Sequence, residues 1–112
     1  MDLINQVGTL NKQLTASIGQ LKNNGIALAE AERDYKVKLH TEALKMRENG
    51  VAVGMIDLTI HGAKEVAELR FKRDVAKTIY DTNLERINAT KLQIRILDSQ
   101  ISREWGAPNE TK

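Results

Sequence analysis

Apolar residues recur at helical spacing through two long stretches separated by one short irregular segment. In the first stretch Leu3, Val7, Leu10, Leu14, Ile18, Leu21, Leu28, Tyr35, Leu39, Ala43 and Met46 follow a period near 3.6 residues. The series Val7, Leu14, Leu21, Leu28, Tyr35 keeps a strict spacing of seven, but its partner series decays into Ser17, Asn24 and Lys38. The pattern therefore predicts a straight helix rather than a sustained left-handed supercoil. Asn23, Asn24 and Gly25 are poor helix formers. The apolar phase runs through them, so one helix over about 2–48 is expected.

Asn49-Gly50 is a stop signal, with Gly50 able to take the left-handed conformation after a helix end. The tip, 49–62, offers Val51 and Val53 as a short extended piece. Met55 to His61 is expected to form one or two helical turns that tuck Met55, Ile56, Leu58 and Ile60 over the end of a hairpin. The second helix is predicted from about 63 to 105, where Gly106 and Pro108 forbid continuation, leaving 106–112 as a loose tail.

On that second helix Val66, Leu69, Ala76, Tyr80, Leu84, Ile87, Ile94, Ile101 and Trp105 project onto one face. Phe71, Val75, Ile79, Ile96 and Leu97 fall largely outside it and widen the apolar arc beyond what one neighbouring helix covers. The fold class expected is all-α: a long antiparallel, coiled-coil-like helical hairpin with a short tip, forming a single domain over 1–112. Two helices make a ribbon without an interior, and a small chain without disulfide or metal needs more buried surface than a ribbon provides. A homo-oligomer is thus expected, a dimer or higher, closing a helical bundle through Phe71, Val75, Ile79, Leu92, Ile96 and Leu97.

Composition narrows this picture without changing it. The 112 residues carry 17 Lys and Arg against 15 Asp and Glu, a net charge of +2, which permits nucleic acid without demanding it. With no cysteine, disulfides and thiolate metal sites are excluded. The opening MDLINQVGTL lacks the regions of a signal peptide, and no apolar run approaches the roughly 20 residues of a membrane span. A cytoplasmic protein with no membrane partner is expected. The polar surface changes character midway along the first helix: Asn5 to Asn24 is mostly Asn, Gln, Thr and Ser, with Lys12 and Lys22 as its charges, whereas Glu30 to Glu48 is densely charged. Glu32–Lys36 and Asp34–Lys38 have favourable i,i+4 spacing there.

Candidate chemistry is sparse. There is no phosphate loop, GxSxG, HExxH or calcium loop. His61 and Glu65 lie four apart with Gly62 between them, too little for a metal site, and His40 is expected to face solvent. Glu30, Glu32 and Asp34 point to different sides of a helix and do not converge. No enzyme, metal or cofactor is expected. Arg70, Arg73, Lys77, Lys91 and Arg95 form a basic stripe beside the apolar arc, with Tyr80 nearby, and a small anionic ligand is their candidate target. The competing reading has Glu68, Asp74, Asp81 and Asp98 neutralising them. Single-strand binding adds aromatic platforms. Phe71, Tyr35, Tyr80 and Trp105 sit at core-like spacing, so nucleic acid is weakly supported. Trp105, the sole tryptophan, is either an anchor for the open end of the hairpin or a contact for a protein partner.

The runs NGIALAEAERDYK (24–36) and VAELRFKRD (66–74), continuing to LQIRIL (92–97) and REW (103–105), resemble small helical proteins encoded by phages and prophages of Gram-positive bacteria. That resemblance implies a phage-encoded protein of the host cytoplasm without catalysis, and it supplies no binding residues to carry over. The secreted WXG type of helical hairpin is a poorer match, because its Trp-x-Gly lies at the turn and here Trp105-Gly106 is contiguous and at the far end. The function expected is an oligomeric binding protein that occupies a host protein or sequesters an anionic, nucleotide-like ligand, counteracting host defence. The alternatives are an accessory single-strand-binding protein of phage replication or recombination, and a structural coiled-coil component of the particle.

Overall fold

The computed structural model describes residues 2–105; the expected stop at Gly106 and Pro108 and the tail 106–112 lie outside them. The chain is an all-α helical hairpin: α1 (Asp2–Glu48), α2 (Val53–Thr59), a 3₁₀ turn (Ile60–Gly62) and α3 (Lys64–Trp105). α1 passes through Asn23-Asn24-Gly25 without a break. Gly25 lies under the ring of Tyr80, and a methyl group on it would meet Tyr80 Cε1 at 3.4 Å, an ordinary contact.

α1 ends where Asn49-Gly50 predicts. Gly50 has φ +82°. Its N–H donates to the Arg47 carbonyl at 3.0 Å, and the Val51 N–H donates to Met46 at 2.9 Å. These two bonds satisfy carbonyls that the helix end would otherwise orphan. The chain then turns through an extended Ala52 directly into α2. Val53 belongs to that helix and is 69% exposed, so no extended piece includes it. Ile56 and Ile60, four apart, are the residues α2 and the 3₁₀ turn bury. Met55 and Leu58, expected to tuck inward with them, face water because they sit about 100° and 200° away around the same helix.

The chain divides into two compact units, Asn23–Tyr80 and a second formed by the first 22 residues with those from Asp81 onward. The Asn23–Tyr80 unit holds the apolar core. Tyr35, Ile56, Ile60 and Val66 are buried together, with Leu39, Ala43, Met46, Val51, Ala63 and Leu69 packed around them. Val66 is wholly shielded. α2 makes this core possible, since it supplies the third wall that two helices lack.

The other unit has no such wall. Among the described residues its buried ones are Ile87 and three polar ones, Ser17, Asn83 and Thr90. The Asn83 side-chain amide donates to the Ser17 carbonyl at 2.9 Å, and the Thr90 hydroxyl donates to the Arg86 carbonyl at 2.8 Å. These buried polar groups are therefore satisfied, as burial requires.

The inward positions correct the expected helical phase. On α1 the shielded residues step by four and three through Val7, Leu10, Leu14, Ser17, Leu21, Asn24, Leu28, Ala31, Tyr35 and Lys38. The seven-residue repeat thus does not decay; it continues in polar residues. Ser17 takes the place expected of Ile18, which is 49% exposed. On α3 the repeat runs Val66, Leu69, Arg73, Ala76, Tyr80, Asn83, Ile87, Thr90, Ile94, Leu97 and Ile101. Leu97 therefore belongs to the seam and not to the outer arc. Trp105 is exposed and does not close the seam.

Two glycine substitutions separate backbone demand from packing. Gly50→Ala should lower stability by about 1–2 kcal/mol, the cost of a Cβ in the left-handed region. Gly25→Ala should raise it by about 1 kcal/mol, the helix-propensity gain. Chemical denaturation followed by circular dichroism reads both signs.

Candidate functional surfaces

Phe71, Val75 and Ile79 follow one another at intervals of four on α3, in the Asn23–Tyr80 unit. That spacing stacks them on one side of the helix. They are 68%, 40% and 50% exposed. A hollow of about 240 Å³ lies along the row, lined by Asn24, Ala27, Lys72 and Ala76 besides the three. A second, of about 440 Å³, continues past Phe71 to Lys64, Ala67 and Glu68. Phe71 and Lys72 border both. The result is an apolar groove with an aromatic side chain standing at its middle and lysines on its edge.

At the tip of the same unit, His40 and His61 line one hollow of about 330 Å³ with Lys36 and Asp57, over a floor that includes Ile56 and Ile60. Among the described residues no three His, Cys, Asp or Glu side chains come together as a metal site. Glu65, considered beside His61 as a ligand pair, is instead ion-paired with Lys38. Lys38 also binds Glu42 at 3.1 Å. It thus bridges α1 and α3 rather than pairing with Asp34, which accepts from Arg33 at 3.0 Å.

The basic stripe is drawn into the structure at Arg73. The Arg73 guanidinium lies 4.7 Å from the centre of the Tyr35 ring and pairs with Asp74 at 2.9 Å. That combination of cation–π contact and ion pair occupies both of its recognition faces. Tyr80 packs on Gly25 in the seam. Arg70 and Lys77 are exposed in this unit, and Lys77 has an interaction partner. Lys91 and Arg95 are exposed in the other unit. Within the Asn23–Tyr80 unit, Arg73 and Tyr80 face the seam, while Arg70 and Lys77 face water.

The unit that joins the start of α1 to the end of α3 has its own hollow, of about 580 Å³. Leu10, Ile96 and Leu97 give its apolar surface, and Asn5, Gln6, Thr9 and Gln93 surround them with amides and a hydroxyl; Asp2 is its one charged residue. Leu92 and Ile96 are 52% and 53% exposed on α3. The α3 side of this hollow, Ile96 and Leu97, is visible in the sequence as surplus apolar surface, but its α1 side is not, because the signal there is missing charge.

No protein-family model, no curated protein and no solved structure matches the chain. No described helix is long and apolar enough to cross a membrane.

The Lys38–Glu65 pair has a directional pH signature. The hydrogen bond from Lys38, and then its charge, hold the Glu65 carboxyl below its ordinary pKa. The hydrogen bonds to Glu65 and Glu42 raise Lys38 above its ordinary value. Stability from Glu65 is thus present above the usual carboxylate range and lost as pH falls through its lowered value. Stability from Lys38 is present below the usual lysine pKa and lost as pH rises through its raised one. Carboxyl NMR titration of Glu65 should show the depressed value, and Lys38→Met should return it to the ordinary range. An unaltered Glu65 titration in Lys38→Met would contradict the pairing.

Proposed function

We propose that this chain is a non-catalytic binding protein whose Asn23–Tyr80 unit seats an amphipathic helix of a protein partner along Phe71, Val75 and Ile79. The observation that carries this reading is the row itself: three large apolar side chains stand in water at intervals of four, with a hollow on each side of Phe71. A helix lying in an apolar groove is read through anchors at such spacing. An aromatic residue in the middle of a desolvated patch is where binding energy concentrates. Lys64 and Lys72 on the edge, against Glu68, favour a partner segment with net negative charge. The resemblance to phage-encoded proteins suggests a host protein of the bacterial cytoplasm as that partner.

Sequestration of a nucleotide-like anion is less well supported, because Arg73 and Tyr80 are used inside the seam. Single-strand binding would need aromatic platforms beside the cations, and Phe71 is the exposed aromatic in this unit. A structural role in a particle is favoured by no specific residue.

Affinity capture with wild type and Phe71→Ala separates these readings. The account predicts a retained protein whose affinity falls about 30-fold in Phe71→Ala, the effect of losing a hot-spot side chain worth about 2 kcal/mol. Equal retention by both forms would contradict it. Binding of a single-stranded oligonucleotide that weakens steeply with added salt would favour the nucleic-acid reading instead.

A further inference from the structure

The unit that brings together the start of α1 and the end of α3 is short of a core and short of charge on the same flank. Its buried side chains, among the described residues, are Ile87 and the polar Ser17, Asn83 and Thr90. One buried isoleucine beside half-buried seam residues such as Leu10, Leu14, Leu21, Ile94 and Leu97 is a thinner core than the cluster of Tyr35, Ile56, Ile60 and Val66. It offsets less of the entropy of ordering two helical stretches. On the flank of this unit, Gln6, Gln13 and Gln20 repeat every seven residues, each just before a seam position of α1. Gln93 and Gln100 do the same on α3, with Arg86 in that position one repeat earlier. In soluble paired helices these flanking positions ordinarily carry Glu and Lys. From Asp2 to Asn24, α1 has three charged residues, Asp2, Lys12 and Lys22; from Gly25 to Glu48 it has ten.

We infer that this glutamine-lined flank, with the hollow floored by Leu10 and Leu97, is where a second copy of the chain docks across a two-fold axis. Two-fold pairing brings each residue near the axis against its own mate or a close neighbour. A carboxylate or ammonium there would face its like. A carboxamide donates and accepts, and so can pair with itself. Interface centres are depleted of charge in the same way. Ile96, half in water on this flank, supplies an apolar anchor from each copy.

The 23 residues from Asp2 to Asn24 give a helical edge of about 35 Å. With α3 alongside, each helix about 10 Å across, the flank offers on the order of 700 Å², close to the roughly 800 Å² each partner contributes to a standard interface. This inference is separate from the Phe71 groove, which lies in the other unit.

The test is a charge swap read by light scattering and circular dichroism on the full chain. Wild type should have twice the 12.6 kDa mass of one chain. Gln13→Glu with Gln93→Glu, and separately Gln13→Lys with Gln93→Lys, should each fall to a single-chain mass with reduced helicity. Mixing the two variants should restore both the double mass and the helix. Phe71→Ala should leave the double mass intact, which keeps this inference apart from the partner-binding reading. A monomeric wild type at micromolar concentration would overturn the inference, as would charged variants that remain dimers. Failure of the mixture to recover the double mass would overturn it too.

Discussion

Two helices laid side by side share a seam, and a seam is not an interior. Each helix can shield about one third of its circumference against the other, and whatever apolar surface lies beyond must meet something else or stay in water. The residues of this chain divide along that line. Every seventh and alternate fourth position goes into the seam, including Ser17, Asn83 and Arg73, while Phe71, Val75, Ile79, Leu92 and Ile96 are left outside. In the structure these five remain 40–68% exposed, so the question is what each unit buries instead.

The two units answer it differently. Around Val66 the chain covers itself: α2 and the 3₁₀ turn fold back so that Ile56 and Ile60 join Tyr35, and the Gly50 helix stop makes the reversal possible. Lys38, itself half-buried in the seam, adds an ion-pair bridge to half-buried Glu42 and exposed Glu65, which holds neighbouring helices in register more than it supplies free energy. The unit with Ser17 and Asn83 has no third element. Its seam hydrogen bond fixes which residues face one another, yet contributes little apolar burial. Buried polar pairs of this kind specify register at a cost in stability. A unit with a specified register and little core is suited to completion by another chain.

Much of the fold is legible in the residue pattern, and what is hidden has one cause. Helix ends are written in turn chemistry, so Asn49-Gly50 and the Gly62 break locate the elements, and the apolar row Phe71, Val75, Ile79 shows itself as surplus. The seam is harder to read, because apolar residues alone do not carry its phase. Ser17, Asn24, Lys38, Arg73, Asn83 and Thr90 are seam residues with polar side chains, so they read as solvent face, and an apolar pattern puts Ile18 and Leu97 on the wrong side. The repeat of seven is present in position throughout; hydrophobicity conceals it. Arg73 is the clearest case: next to basic neighbours it resembles part of a ligand site, and only the placement of Tyr35 beneath it shows that its charge is used internally. The glutamine repeat is equally visible as residues, but a surface defined by missing charge has no motif to announce it.

The central claim is that the core-poor unit gains its order from outside its own chain, while the unit around Val66 does not. Amide hydrogen exchange measured across a range of protein concentrations tests this directly. The account predicts that protection at Leu14 to Leu21 and at Asn83 to Leu97 rises as concentration rises, while protection around Tyr35 and Val66 stays constant. Protection of Leu14 to Leu21 that is strong and independent of concentration would contradict it.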